Sequence, residues 1–288
     1  MNRHVNVPAP APQERPPDPN DASCTSASKP PGWLLSECAD EREIRHAWNS
    51  IRVVRTAGNG DCLFHSVRLC LLSVMSRSRA PTSAQLREAV ARTVLDRRDH
   101  RATAALGVWR DVLAGAVALG DADVWRDYAH ARALLSDQPP FERSSRRAVY
   151  DAMCQSDVYW GDDYALQVLE RITGMALVVV GPMARTMHSA AGGAPARHTV
   201  CRGRLRAPAG TDRAARRRWF AVLCLEGAHY RPVALRIDSG RYATAFAGAA
   251  AVPRFLRAAF AAVTADAATP DAARAARSLD PFAALVRE

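Results

Sequence analysis

The sequence predicts an α+β fold in which helices flank a small central β-sheet. Helical periodicity dominates the first half of the 288-residue chain, and strand-like apolar runs dominate the second half. A helix that opens with Cys62 stands in front of the main strands. Helices followed by strands in this order are typical of a sandwich of one sheet and its covering helices.

The helices are predicted from apolar residues that recur three or four positions apart. Leu63, Val67 and Leu71 follow this spacing after Cys62, and a capping-box pattern at residues 82–85 marks the start of another run. We therefore predict helices over residues 41–50, from residue 62 onward, after residue 82, near 103–118, near 140–154, and from about 162 to 172.

The strands are predicted from short apolar runs that are bounded by turn residues. Residues 219–225 and 229–237 flank the turn Glu226-Gly227-Ala228, which together predict a hairpin. The remaining predicted strands are residues 51–54, the buried run 175–180, and a strand near 198–202.

The two ends of the chain differ in composition from its middle. Residues 1–32 are rich in proline and almost free of large apolar side chains, so we predict a disordered tail. Residues 33–240 then form the folded domain. Residues 241–288 are rich in alanine and predict a helical extension.

Composition excludes several classes of protein. No apolar run approaches the roughly 18–20 residues of a membrane span, and the N-terminus lacks the apolar core of a secretory signal. We therefore expect an intracellular protein of the cytoplasm or nucleus, a host cell included, that does not bind a membrane.

The net charge of +10 is compatible with nucleic-acid binding, but the kinds of basic residue present argue against it. Lys29 is the only lysine among 39 basic residues, an imbalance typical of GC-rich coding. Arginines at 213 and 216–218 form a basic cluster that we interpret as a solvated loop. Nucleic-acid binding is thus a weaker alternative, and we do not expect a nucleic-acid partner.

Seven cysteines are spread along the chain without a CxxC pair. This spacing favours neither a zinc site nor a disulfide scaffold, so we predict no metal and no cofactor. In a reducing compartment each cysteine is a free thiol that serves either the core or catalysis.

The segment Gly58-Asn59-Gly60-Asp61-Cys62-Leu63-Phe64 is the most informative part of the sequence. A glycine-flanked loop brings Cys62 to the first turn of a helix, where unpaired N–H groups and the helix dipole stabilise a thiolate. The backbone N–H groups of Asp61 and Cys62 are placed to bind the oxyanion of a tetrahedral intermediate. A buried core cysteine after an ordinary turn is the alternative interpretation.

A thiol nucleophile needs a base, and His229 is the candidate among eight histidines. It opens the second strand of the predicted hairpin, far downstream of Cys62, as the partner of an N-terminal catalytic cysteine often does. His65 shares the helix of Cys62 and is expected to pack or to face solvent. A polar residue at a strand start is the alternative interpretation of His229.

Three separated blocks of sequence resemble the ovarian tumour (OTU) domain cysteine peptidases, which are deubiquitinases. The first, residues 59–64 with Ser66, is similar to the family's Asp-Gly-Asn-Cys-Leu-Phe signature. The second is Tyr150-x-x-Met153 followed by Trp160-Gly161-Asp162-Asp163 and Leu166, and the third is His229-Tyr230. The resemblance covers residues 48–238 and says nothing about either end.

This resemblance implies a papain-like OTU fold with Cys62 as the nucleophile and His229 as the base. Cys62 would attack the carbonyl of the C-terminal glycine of ubiquitin, and His229 would protonate the leaving lysine amine before water hydrolyses the thioester. Asn59 stands where the family has Asp and would shape the loop beside the oxyanion hole. Ubiquitin or polyubiquitin chains are the implied partners.

One departure from the family pattern concerns the group that orients the imidazole. Many members have Asn or Asp two residues after the histidine, whereas this chain has Arg231, which cannot accept a hydrogen bond. Asp40, Glu41 and Glu226 are the candidate replacements, and a Cys-His dyad is the alternative. An OTU-like module that binds ubiquitin with little or no cleavage is the other function that this departure leaves open.

Overall fold

A computed structural model describes residues 27–35, 40–182, 198–202, 219–236, 242–248, 251–253 and 256–257. Every structural statement about the chain refers to these ranges. Within them the architecture is α+β: a mixed sheet is flanked by helices, so the predicted fold class is confirmed.

The helices lie mainly between residues 41 and 173. They are α1 (Glu41–Ser50), α2 (Cys62–Leu72), α3 (Ser83–Thr93), α4 (His100–Leu119), α5 (Ala122–Asp127), α6 (Arg143–Met153) and α7 (Asp163–Thr173). Short 3-10 helices occur at Gly32–Leu35 and at Ala129–Leu134.

The sheet is assembled from eight short strands in the described ranges. They are β1 (Ala27–Ser28), β2 (Ile51–Val54), β3 (Ala176–Pro182), β4 (His198–Arg202), β5 (Trp219–Glu226), β6 (His229–Arg236), β7 (Tyr242–Ala243) and β8 (Phe246–Ala247). The strand order is β1-β2-β6-β5-β3-β4, with β7 beside β6 and β8 beside β5. Only the β3–β5 pairing is parallel among these, which makes the sheet mixed.

Helix ends follow the capping residues that the sequence offers. Thr82 and Gln85 form a complete capping box at the start of α3. The Asp162 side chain accepts the backbone N–H of Ala165 at the start of α7, and Gly174 ends that helix in the left-handed conformation. These caps fix where the helices begin on the surface of the sheet.

Both faces of the sheet are buried. Alternate residues of β3 point to opposite sides: Leu177 and Val179 pack with the helices, whereas Val178 and Val180 pack on the other face. The helical layer is the larger core and contains Cys62. The second layer is closed by residues from the two ends of the domain, such as Leu34 and Leu256.

The predicted disordered tail is shorter than composition suggests. Ala27–Ser28 pairs antiparallel with β2, and the Ser28 hydroxyl donates to the carbonyl oxygen of Val53 over 3.2 Å. The exposed edge of β2 supplies free backbone groups, so a two-residue strand forms there without an apolar pattern of its own. Residues 1–26 of the predicted tail lie outside the described residues.

The predicted extension begins at residue 241, but residues 242–248 contain two short strands, so the sheet continues past residue 240. Tyr242–Ala243 pairs with β6 and Phe246–Ala247 pairs with β5. Thr244 donates to the carbonyl oxygen of Leu69 over 2.9 Å, so this segment is tied to α2 as well. Aromatic and β-branched residues favour the strand over the helix that the alanines suggest. Residues 258–288 of the predicted extension lie outside the described residues.

The helix α4 qualifies the expectation that no segment is long enough to cross a membrane. It has 20 residues and, in the described ranges, is the one helix whose length and apolar composition would allow a crossing. Leu106, Trp109 and Leu113 on this helix are fully buried against the helical core. The helix therefore packs as a core element of the domain.

Candidate active site

Cys62 is the first residue of α2, and the loop before it is held tightly. Gly60 has a φ of +81°, and a Cβ at this position would lie 1.6 Å from the carbonyl oxygen of Ser156. Only glycine satisfies both conditions, so the local sequence fixes how the chain enters the helix. Cys62 itself is 2% exposed and belongs to the helical core.

The sulfur of Cys62 lies against the backbone on both sides of His229. It donates to the carbonyl oxygen of Ala228 over 3.8 Å, and the backbone N–H of Tyr230 donates to it over 3.5 Å. The packing of α2 on β6 makes these contacts across more than half of the chain. The thiol and the histidine that the sequence singles out are therefore neighbours.

The ring of His229 is hydrogen bonded to a residue that the sequence analysis did not select. Its Nε2 atom lies 3.1 Å from Oγ1 of Thr56, two residues beyond the end of β2. The same Oγ1 donates to the carbonyl oxygen of Tyr230 over 2.7 Å. No hydrogen bond joins this ring directly to the sulfur of Cys62 among the described residues.

The backbone of Tyr230 links the parts of the site. Its carbonyl oxygen accepts the hydroxyl of Ser66, on α2, over 3.0 Å, in addition to the hydroxyl of Thr56. Its N–H meets the sulfur of Cys62. The backbone of Tyr230 thus joins α2, the segment after β2, and β6 itself.

A buried arginine holds the loop that leads to Cys62. Arg87 is 4% exposed, and its Nη2 atom donates to Asp61 Oδ1 over 2.7 Å and to the carbonyl oxygen of Gly60 over 2.9 Å. Its Nη1 atom donates to the carbonyl oxygens of Met153, Gln155 and Tyr159. The guanidinium fork therefore ties the loop to the connection between α6 and α7.

The predicted oxyanion donors differ in their surroundings. The N–H of Asp61 donates to the side-chain oxygen of Asn59 over 3.4 Å, a long bond that closes a local turn. Asn59 therefore shapes the loop. Cys62 opens α2, and the N–H groups of a first helical turn have no partner within their own helix.

Among the described residues, none of the three carboxylates predicted to orient the imidazole is hydrogen bonded to the ring of His229. Asp40 caps α1 and accepts the N–H of Glu43 over 2.7 Å. Glu41 is exposed in the first turn of the same helix. Glu226 forms an ion pair with Arg231, the residue two positions after His229, so its carboxylate is engaged within the hairpin.

The Trp160-Gly161-Asp162 block divides into a surface residue and a buried one. Asp162 accepts the phenol of Tyr159 over 2.6 Å and the indole N–H of Trp109 over 3.0 Å, and burial raises the pKa of its carboxyl. Trp160, expected to be a core residue at least as readily as a substrate contact, is 48% exposed beside Gly60.

Burial makes two other cysteines poor nucleophiles. It raises the pKa of the Cys70 thiol to about 12 and also raises the pKa of the Cys154 thiol. The histidine His65, which lies on α2 with Cys62, is a separate case: it is half-buried, and burial lowers its pKa. Hence neither Cys70 nor Cys154 offers a thiolate at neutral pH.

Two further expectations concern ligands of other kinds. Among the described residues no group of three or more His, Cys, Asp or Glu side chains is arranged to hold a metal ion. The arginine cluster at 213 and 216–218, the basis of the nucleic-acid alternative, lies outside the described residues.

A thiol at a helix start beside an imidazole at a strand start is the pair of groups on which thiol-dependent acyl transfer is built. Three groups at this site are not predicted from the sequence: the Thr56 side chain, the carbonyl of Tyr230, and the Arg87 side chain. Each acts through contacts between distant segments, and no local spacing marks any of them.

Comparison with known proteins gives structural likeness alone. No family model and no curated protein matches the chain. A solved OTU domain in complex with ubiquitin is 13% identical, with a TM-score of 0.36 over 74% of this chain and 88% of that chain. An OTU deubiquitinase from Wolbachia pipientis wMel bound to ubiquitin is 13% identical, with a TM-score of 0.38 over 66% of this chain and 99% of that chain. Both belong to the family that the three sequence blocks resemble.

Proposed function

We propose that the chain is an OTU-like cysteine peptidase that hydrolyses isopeptide bonds at the C-terminus of ubiquitin. Cys62 is the nucleophile and His229 is the acid-base group. The observation that carries the proposal is the seating of the Cys62 sulfur between Ala228 O and Tyr230 N, directly beside His229. The short sequence blocks that resemble OTU peptidases supply the substrate class.

The chemistry follows from these groups. His229 takes the thiol proton, and the sulfur of Cys62 bonds to the glycine carbonyl carbon, giving a tetrahedral oxyanion beside the first turn of α2. The intermediate collapses, the C–N bond breaks, and the proton passes to the leaving lysine amine. Water, deprotonated by His229, then splits the thioester and restores the thiol.

Substrate access requires a local change around the sulfur. Cys62 is 2% exposed, and its thiol is directed at the carbonyl oxygen of Ala228. Ala228 and Gly227 are exposed in the hairpin turn, so this carbonyl belongs to a surface loop. In the proposed reaction, binding of the ubiquitin C-terminus turns the thiol from Ala228 O towards the ring of His229.

The proposal is tested with ubiquitin that carries a C-terminal propargylamide, an electrophile that bonds to a catalytic thiol. We expect one covalent adduct by intact-mass spectrometry, with the label on Cys62 after digestion. Cys62→Ala should abolish the adduct. Cys154→Ala is the matched control, because Cys154 is a partly exposed thiol outside the site, and it should leave adduct formation unchanged.

A second candidate function is ubiquitin binding without cleavage. The observation that favours it is the absence of a hydrogen bond between Cys62 and His229 among the described residues, together with the low exposure of the sulfur. Calorimetry with unmodified ubiquitin separates the two candidates. Binding without any adduct would support the binding module and would end the peptidase proposal.

A further inference from the structure

We propose that Thr56 is the residue that positions the imidazole of His229. This assignment deepens the proposed function and rests on it. The sequence offers carboxylates for this role, yet the ring nitrogen Nε2 of His229 lies 3.1 Å from the Thr56 hydroxyl. The residue two positions after the histidine, where the OTU family supplies the orienting group, is Arg231, which is paired with Glu226.

Proton accounting fixes the direction of this hydrogen bond. The Thr56 hydroxyl has a single proton, and the carbonyl oxygen of Tyr230, 2.7 Å away, can only accept. That proton is therefore donated to Tyr230, and the hydroxyl oxygen is left to accept from His229. Nε2 of the ring carries the hydrogen, so Nδ1 is the nitrogen with a free lone pair in the neutral imidazole.

This tautomer is the one that the reaction needs. The nitrogen that takes the thiol proton must be unprotonated, and with Nε2 committed to Thr56 that nitrogen is Nδ1. When His229 becomes an imidazolium during the attack, both nitrogens are donors and the bond to Thr56 Oγ1 persists. The same contact thus holds the ring in both protonation states.

The position of Thr56 is set by the sheet. β2 pairs antiparallel with β6 with Val53 opposite Val233, and this register, continued past the end of β2, brings Thr56 level with Tyr230. Thr56 is partly buried, and both of its contacts reach residues more than 170 positions away. It is held by the pairing of two strands, independently of the hairpin turn.

Ser66 provides a matched control for this assignment. Its hydroxyl donates to the same carbonyl oxygen of Tyr230, over 3.0 Å, but it has no contact with the ring. Ser66→Ala removes one of two hydroxyls on that carbonyl and leaves the imidazole bond in place. Thr56→Val removes the other hydroxyl and the imidazole bond together, with almost no change in side-chain shape.

The experiment compares Thr56→Val, Thr56→Ser and Ser66→Ala in the full chain. Turnover is followed with ubiquitin that carries a fluorogenic C-terminal amide, and the tautomer of His229 is read from ¹⁵N chemical shifts in histidine-labelled protein, assigned with His229→Ala. Thr56→Val should lower kcat about 10- to 100-fold with little change in KM, because a misoriented base costs rate rather than binding. Its spectrum should lose the Nε2–H tautomer.

The controls decide the interpretation. Thr56→Ser restores the hydroxyl and should recover most of kcat and the Nε2–H signal, and Ser66→Ala should keep that signal. If Thr56→Val keeps both kcat and the tautomer, Thr56 is merely structural and the assignment is overturned, while the peptidase proposal stands. If the wild type forms no Cys62-dependent adduct, the proposed function fails and the positioning role fails with it, whatever the ¹⁵N spectrum shows of the hydrogen bond.

Discussion

Arg87 and Asp61 form a two-point ion pair directly before Cys62, the proposed nucleophile. Nε and Nη2 of Arg87 both donate to Oδ1 of Asp61, over 2.8 and 2.7 Å. The arginine is almost fully buried, whereas the carboxylate keeps a quarter of its surface in solvent. A charge in such a place is tolerated only while its partners remain, so the pair and its carbonyl contacts act as one unit.

Arg87→Ala is therefore expected to destabilise the loop of Gly60 and Asp61. Removing one partner of a buried, hydrogen-bonded pair costs roughly 3–5 kcal/mol, so the free energy of unfolding measured in urea should fall by that order. Arg87→Lys should also be destabilising, because an ammonium cannot reproduce the fork. Arg92→Ala, which removes an exposed pair with Glu88 on the same helix, serves as the control and should have little effect. An equal fall in the free energy of unfolding for Arg87→Ala and Arg92→Ala would contradict the prediction that the buried pair stabilises the fold more than an exposed one.

Gly60→Ala should be far more damaging than Gly58→Ala, two residues earlier. A Cβ at Gly60 would collide with the carbonyl oxygen of Ser156, and the backbone there has a positive φ that alanine rarely adopts. A Cβ at Gly58 would meet nothing within 4 Å. We expect a loss of stability of at least about 2 kcal/mol for Gly60→Ala, together with loss of adduct formation. Thermal unfolding followed by circular dichroism checks the stability. An unchanged stability of Gly60→Ala would show that the loop before Cys62 tolerates a side chain at this position.

Trp160 should contribute to substrate binding rather than to the fold. Its side chain is 48% exposed and lies beside Gly60, two residues before Cys62. Trp160→Ala is expected to raise KM for a ubiquitin amide several-fold and to leave the melting temperature almost unchanged. Trp48→Ala removes an aromatic side chain of similar exposure on α1 and should leave KM as it is. A fall in melting temperature without a change in KM would assign Trp160 to the core instead.

His130 should make the fold sensitive to acid. Burial lowers the pKa of His130 to about 3 in the folded state, and its ring nitrogens have no hydrogen-bond partner. In the unfolded chain the pKa is about 6.5, so between these values the unfolded state binds the extra proton and stability falls as the pH falls. From pH 7 to pH 5 the loss from this group is about 2 kcal/mol.

The measurement is the urea unfolding midpoint of the wild type and of His130→Phe at pH 7 and pH 5. Phenylalanine fits the aromatic surroundings of Trp109 and Tyr159 and cannot take up a proton. The variant should lose about 2 kcal/mol less than the wild type on acidification. An identical pH dependence in both proteins would mean that His130 is protonated inside the fold.

Local signals in the sequence predicted much of this architecture. The capping-box pattern at residues 82–85 predicts the start of α3, and the helix predicted from about 162 to 172 matches α7. The hairpin predicted from the apolar runs 219–225 and 229–237 and the turn between them is present as β5 and β6. In each case the determining interactions lie within a few residues of one another.

The parts that could not be predicted depend on distant partners. In the sequence Thr56 is an ordinary polar residue in a loop, and its contacts are made with His229 and Tyr230 of β6, more than 170 positions away. Two-residue strands such as Ala27–Ser28 have no periodicity, because the edge of an existing sheet organises them. The helices Ala122–Asp127 and Ala129–Leu134 are too short to show an apolar stripe.

The near-complete burial of the Cys62 sulfur has a consequence for damage as well as for catalysis. Oxidation of a cysteine to sulfenic and then sulfinic acid depends on thiolate character and on access by small oxidants. In the resting arrangement, the hairpin turn and the helical core leave peroxide almost no approach to this sulfur. In the proposed peptidase, the sulfur that would carry the reaction is thus protected from oxidants while no substrate is bound.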